Sequence, residues 1–233
     1  MIKYAKKNSF KVSFTSNFTY INQFKVIDLI NSKVDLIYIS VDGATKTTFE
    51  KIRVGAIFEE VMSNIKLFTR IKKERNTIIP LLYFYVTLLR DNLNEIREIV
   101  KLAEVLKIDT IDFNRMIMPG KEYWKSEIPI IYMWKKITKN KININKRAIP
   151  LKKCQPCVAL IGCYITFNGK VLPCNRITQI LPRKEYPPYI FGDLENESLT
   201  DIWFSQAYKN FRKNLAMGIY PDICKYCTQS RQF

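Results

Sequence analysis

The sequence predicts an α/β chain: an incomplete parallel (β/α) partial barrel, then a small cysteine-rich domain with a β-hairpin and a helix. Three observations predict it. Apolar strand-like runs alternate with amphipathic helical patterns from Lys11 to Arg115, which is the signature of parallel strands joined by right-handed crossovers. All six cysteines fall at or after Cys154, and residues used singly as small core hydrophobes would be scattered. Among those cysteines, two alternating runs flank Asn168-Gly169, a strong two-residue hairpin signal because both turn positions need positive φ. The expected division is 1–120 for the barrel part, 121–150 for a connecting helix and linker, and 151–233 for the cysteine-rich domain.

Taken in order, Met1 to Asn8 reads as the end of a helix, and Lys11 to Thr15 as a short strand. Asn22 to Ser32 carries Phe24, Ile27, Leu29 and Ile30 at helical spacing. Val34 to Ser40 is a near-continuous apolar strand, as expected for parallel β buried on both faces. Phe58, Val61, Met62, Ile65, Phe68 and Ile71 form a helical stripe, and Ile78 to Leu89 a second buried strand with Pro80 at its start. Asn92 with Glu95 is expected to cap a helix with the stripe Leu93, Ile96, Ile99, Val100, Ala103 and Leu106. Thr110 to Arg115 is a further strand, its end bearing Asn114 and Arg115 as candidate polar groups. Late in the chain, Ser198 is placed to cap a helix with Asp201 in its first turn and Trp203 on its packing side.

At 233 residues and 47% apolar content the chain can bury a substantial core. The net charge of +17 alone would suggest a polyanion. The lysines are spread over nearly every helix rather than gathered in one basic block, and no nucleic-acid-binding motif is present, so nucleic acid is not the expected partner. No run approaches eighteen uncharged apolar residues, so no membrane span is expected. The first twenty residues mix charge and apolar character and contain no signal-type core. A reducing, cytoplasmic setting is therefore expected.

The cysteines read Cys154-Gln-Pro-Cys157, Cys163, Cys174 and Cys224-Lys-Tyr-Cys227. A CxxC brings two sulfurs to one point, and three tasks are open to such a set: disulfides, four-thiolate zinc, or an iron–sulfur cluster. A reducing compartment favours metal. The chain has no histidine, which excludes mixed Cys/His zinc sites and an imidazole general base.

The order Gly169-x4-Cys174, Phe191-Gly192-Asp193-Leu194, Ser198-Leu199-Thr200-Asp201-Ile202-Trp203 and Cys224-x2-Cys227 closely resembles the SPASM or twitch extension of radical SAM enzymes. The spacer to Gly169, fourteen residues from Cys154 and eleven from Cys157, fits that pattern from either cysteine. The first half is similar too. Val34 to Gly43, followed by Thr48-Phe49-Glu50-Lys51-Ile52-Arg53, resembles the fourth strand and helix of the radical SAM partial barrel. Thr15-Ser-Asn17 stands where that family has Thr-Asn-Gly, with Phe18 in place of the glycine. The likeness covers nearly the whole chain, but the family's Cys-x3-Cys-x2-Cys triad and acidic Gly-Gly-Glu segment are absent. The expectation is a C-terminal fragment, a split gene or a degenerate homologue, with an unpaired sheet edge at Lys11 to Thr15.

The resemblance implies one auxiliary [4Fe–4S] cluster held by Cys174, Cys224 and Cys227. Cys157 is preferred to Cys154 as fourth ligand, because it directly precedes the run leading into the hairpin; Cys163 is expected to be a buried thiol. It implies polar contacts from Ser40 and Asp42 to S-adenosyl-L-methionine, with Asn17 similarly placed and Arg53 meeting an anionic group. In an intact relative, that cofactor would be cleaved to a radical that modifies a peptide, protein or small-molecule substrate. A ferredoxin or flavodoxin would be the electron donor. The competing reading from another class is a non-catalytic four-cysteine module, zinc or iron–sulfur, that docks on a partner.

Overall fold

The computed structural model describes residues 1–115, 143–145, 157–181 and 183–226. The chain falls into two compact units, the first containing residues 1–115 and 143–145 and the second residues 157–226.

The first unit is a parallel five-stranded sheet with helices on one face. Its elements are α1 (Ile2–Lys7), β1 (Ser13–Ser16), α2 (Gln23–Asn31), β2 (Leu36–Ser40), α3 (Lys46–Ile52), α4 (Phe58–Glu74), β3 (Leu81–Leu88), α5 (Ile96–Val105), β4 (Thr110–Arg115) and β5 (Asn143–Asn145). The strands lie in sequence order, every neighbouring pair parallel. β1 is an edge strand, as the sequence reading expected. Alternation along each strand sorts the side chains. Ile37, Ile39, Leu82, Phe84, Val86, Ile111 and Phe113 are 0% exposed against the helices. Each such side chain contributes roughly 1.5–3 kcal/mol on burial. The stripe of α4 points to the same core through Val61, Met62, Ile65, Phe68 and Ile71. Asn22 caps α2 by accepting from the Lys25 N–H.

The opposite sheet face is aromatic and polar. Tyr38 meets Tyr83 and Tyr85 edge-on, each at 5.7 Å. The register sets Ser40, Tyr85 and Asp112 in one cross-strand row, with Ser40 and Asp112 buried. The strand from Val34 is thus buried fully on one face only, Leu36 and Tyr38 being half-buried. Two local expectations are corrected. Phe24 is 83% exposed, and α2 is anchored instead by Val26 and Ile30. Asn92 and Glu95 form no capping box: a short 3-10 turn, Leu93–Glu95, precedes α5, and both side chains reach elsewhere.

The second unit holds β6 (Tyr164–Ile165), β7 (Lys170–Leu172), α6 (Arg176–Ile180), β8 (Gly192–Asp193), α7 (Leu199–Phe204) and α8 (Gln206–Ala216), with 3-10 turns at Val158–Leu160 and Asp222–Tyr226. β6, β7 and β8 form a small antiparallel sheet. Lys170 and Asp193 stand opposite each other on β7 and β8 and form an ion pair. The hairpin turn differs from expectation, since Gly169 has φ +76° while Asn168 stays out of the left-handed region. Thr166 shapes the turn instead, its N–H donating to the Lys170 carbonyl and its Oγ1 accepting from the Lys170 N–H. Ser198 caps α7 as expected, accepting from the Asp201 N–H at 3.1 Å. No described helix is long and apolar enough to cross a membrane.

Candidate functional site

In a parallel sheet, loops at the strand C-termini build the site, and here they are tied down by two carboxylates. Asp42, beyond the end of β2, is 3% exposed. Its Oδ1 accepts from the Thr87 N–H at 2.6 Å, and its Oδ2 accepts from Arg53 Nε at 2.7 Å and pairs with Nη2 at 2.6 Å. The buried charge is therefore fully partnered, and it joins the ends of β2, β3 and α3. Asn92 closes the same junction, donating to the carbonyls of Asp42 and Thr87 and accepting from the Leu89 N–H. Glu95 accepts from the N–H groups of Ala44 and Thr45 and from the hydroxyls of Thr45 and Thr48. Burial pushes its pKa up, but these hydrogen bonds outweigh that and hold it below the ordinary carboxylate value.

The loop after β1 is set by an unusual backbone. Phe18 adopts φ +61° with only 1% exposure and packs on Phe68 at 5.8 Å. The left-handed geometry open to a glycine is thus kept by a phenylalanine. Asn64 secures it by donating to the Phe18 and Thr19 carbonyls. Asn17 accepts from the Thr19 hydroxyl at 2.9 Å. These loops enclose a cavity of about 380 Å³ lined by Asn17, Thr19, Tyr20, Asp42, Arg53 and Gly55, among others. Three of the four expected cofactor residues, Asn17, Asp42 and Arg53, therefore meet at one cavity. Ser40 does not line it and sits in the row with Tyr85 and Asp112. Asn114 turns its amide back on the Asp112 carbonyl.

In the second unit, alternation along the hairpin sorts the thiols. Cys163 packs with Val171, Ile202, Tyr208, Phe191 and Trp203. Cys174 and Cys224 pack together with Leu172, Ile177 and Ile223 in a different cluster. All three thiols are half-buried, as is Cys157, which leads into the turn Val158–Leu160. Burial pushes the Cys163 thiol up, disfavouring its thiolate. Cys154 and Cys227 lie outside the described residues. The geometry thus sets Cys174 and Cys224 against one apolar cluster, both half-buried. Soft thiol donors with no histidine nearby fit an iron–sulfur cluster.

Residues 154–228 match the SPASM family, described as an iron–sulfur cluster-binding domain. The C-terminal segment thus matches a SPASM domain. A tungsten-containing aldehyde ferredoxin oxidoreductase cofactor-modifying protein of Pyrococcus furiosus is 26% identical over 98% of this chain and 68% of its own length. Among solved structures, Streptococcus suis SuiB aligns over 91% of this chain with a TM-score of 0.66 at 16% identity. SuiB bound to S-adenosylmethionine and SuiB bound to the precursor peptide SuiA align over 99% of it, also at 0.66. The chain spans only about half of SuiB, 53–55%. At that identity the likeness establishes the fold. The likeness of fold runs along the chain, from the parallel sheet into the segment that matches the SPASM family.

Sequence reading missed two groups that shape this domain. Tyr208 and Arg212 lie on α8, a helix started by Ser205, which accepts from the Tyr208 N–H. The spacing Tyr208, Phe211, Leu215 was the available signal.

Proposed function

We propose that the SPASM domain holds one auxiliary [4Fe–4S] cluster through Cys157, Cys174, Cys224 and Cys227, with Cys154 the alternative to Cys157. The observation that supports this reading is the packing of Cys174 and Cys224 against one apolar cluster, from which Cys163 is separated by the hairpin's alternation. A bound auxiliary cluster relays an electron or positions substrate. The protein's part is to present the thiolates, exclude water through Leu172, Ile177 and Ile223, and fix the hairpin through the Lys170–Asp193 pair.

In its intact form the protein is, on this reading, a radical SAM enzyme modifying a peptide, protein or small molecule, supplied with electrons by a ferredoxin or flavodoxin. The peptide-bound and S-adenosylmethionine-bound SuiB structures support that substrate and cofactor class through shared fold. Asn17 and the Asp42–Arg53 pair offer polar groups to S-adenosyl-L-methionine at the cavity, and Ser40 offers a hydroxyl on the inner sheet face. The Cys-x3-Cys-x2-Cys triad is absent from these 233 residues, so the chain by itself has no cluster with an open iron.

Iron and sulfide analysis of the anaerobically reconstituted chain tests the cluster. About four irons per chain are expected, lost in Cys224→Ser and retained in Cys163→Ser, because a hydroxyl cannot replace a ligand thiolate. Stoichiometric zinc without iron would replace this reading by a structural metal module.

A further inference from the structure

Two side chains that follow β3 do not line the cavity, yet the groups they hold lead to it. Glu95 divides its carboxylate between the backbone and the side chains of the β2–α3 connection. Its Oε2 accepts from the Ala44 and Thr45 N–H groups at 2.8 and 3.3 Å, and its Oε1 from the Thr45 hydroxyl at 2.8 Å and from the Thr48 hydroxyl. Thr45 caps α3, its own hydroxyl accepting from the Thr48 N–H at 3.3 Å. That helix has seven residues, and its C-cap is Arg53. Glu95 therefore fixes the start of a rigid arm whose far end carries the guanidinium at the cavity.

Asn92, 0% exposed, grips the same connection through the main chain. Its amide nitrogen donates to the Asp42 carbonyl at 2.9 Å and to the Thr87 carbonyl at 2.8 Å, while its oxygen accepts from the Leu89 N–H at 2.9 Å. The Asp42 side chain closes the ring by accepting from the Thr87 N–H and from Arg53 Nε. Little slack lies between the loop and the helix, since a Cβ at Gly43 would lie 2.6 Å from the Phe49 nitrogen. Arg53 is thus held twice, through the helix it ends and through the carboxylate it pairs with. With Nε and Nη2 engaged by Asp42, Nη1 is the nitrogen it has left to offer a ligand at the cavity.

We propose that Glu95 and Asn92 are positioning residues for the cavity: acting through α3 and Asp42, they hold the Arg53 guanidinium in place before a ligand arrives. The proposal rests on the reading above that this cavity takes S-adenosyl-L-methionine. A long side chain that is ordered only on binding weakens affinity by roughly 2- to 12-fold relative to one already in place. A carboxylate and an amide that served only their own turn would leave both Arg53 and the affinity as they are.

The test uses the full chain with S-adenosyl-L-methionine as the probe, its millimolar affinity read by ligand-observed NMR. The Arg53 Nε–H resonance is a second readout that needs no ligand. Glu95→Ala should weaken probe binding by roughly 2- to 12-fold and shift or broaden the Arg53 signal. Glu95→Gln should restore both, because its amide oxygen can accept from the two N–H groups while its NH2 donates to the two hydroxyls, turned round. A lower melting temperature in Glu95→Ala, with the affinity and the Arg53 signal unchanged, would mark a purely structural carboxylate and overturn the proposal. Should Glu95→Ala fail to fold, Thr48→Val, which removes one of the four donors, decides by the same signal: an unmoved Arg53 resonance refutes the role. A wild-type chain that binds no probe would instead remove the cofactor reading of the cavity, while the Arg53 resonance would still decide the positioning.

Discussion

Phe18 sets two energies against each other, and their balance can be read from two substitutions. Its ring is 1% exposed and packs on Phe68, so truncation to Ala or Gly opens the same cavity, at about 3–5 kcal/mol. The backbone at φ +61° is the second quantity. A residue with a Cβ holds that conformation at about 1–2 kcal/mol, which Ala retains and Gly sheds. Against this, Gly loses roughly 0.5–1 kcal/mol more chain entropy than Ala on folding. The difference leaves Phe18→Gly more stable than Phe18→Ala by about 0–1.5 kcal/mol, with the mid-values giving roughly 0.75, although both fall well below the wild type. At ordinary positions Ala is the more stable of the two, so the sign alone is diagnostic. Urea denaturation followed by far-ultraviolet circular dichroism measures it. An Ala variant as stable as the Gly variant, or more so, would show that the turn carries no strain and that the glycine-like geometry is not what the loop after β1 depends on.

Gly192 admits no side chain: a Cβ there would lie 2.4 Å from Ile202 Cγ1 and 2.6 Å from Cδ1. Gly192→Ala should cost about 1–3 kcal/mol in the SPASM domain, and thermal melts should show part of it recovered by adding Ile202→Val. Glu95 has a depressed pKa, so its stabilisation is present above the ordinary value of 4.5 and is lost as pH falls through the lower folded value. Glu95→Gln should therefore be destabilised at pH 7, with the gap to wild type closing on acidification below that range. A gap that stays constant to pH 3 would show that the carboxylate charge is not involved. Finally, two or three hydrogen bonds at about 1 kcal/mol net each support no better than millimolar binding of S-adenosyl-L-methionine. Calorimetry should find none tighter, and dithionite should yield no 5′-deoxyadenosine above a no-protein control.

Much of the architecture was written in local pattern. The stripe Val61, Ile65, Phe68 is buried as its spacing required, and Ser198 caps its helix as its position before Leu199 required. Such features depend on neighbours three or four residues away, which the sequence displays. Misreadings came where partners are distant. Glu95 reaches Ala44, Thr45 and Thr48, about fifty positions earlier, instead of capping its own helix. Asn92 likewise serves the Asp42 junction. In the site, Asn17, Asp42 and Arg53 were legible as polar residues at strand and helix ends, but their meeting at one cavity follows from crossovers that bring β1, β2 and α3 together. Tyr208 and Arg212 were missed because Tyr208 is buried by stacking on Phe191 and reaching the Gly162 carbonyl, partners far from it in sequence.

The sorting of Cys163 and Cys174 to opposite sides of the hairpin works as a parity rule. Each residue added within a strand between them would turn one thiol to the other side, so a single insertion or deletion in a strand would leave both thiols on the same side, while a change by two would leave the sorting intact. Any homologue that lengthens this hairpin by an odd number must therefore absorb the extra residue in the turn around Gly169 or in a bulge, or recruit a different thiol. The segment between the two cysteines thus carries its information in count as much as in composition.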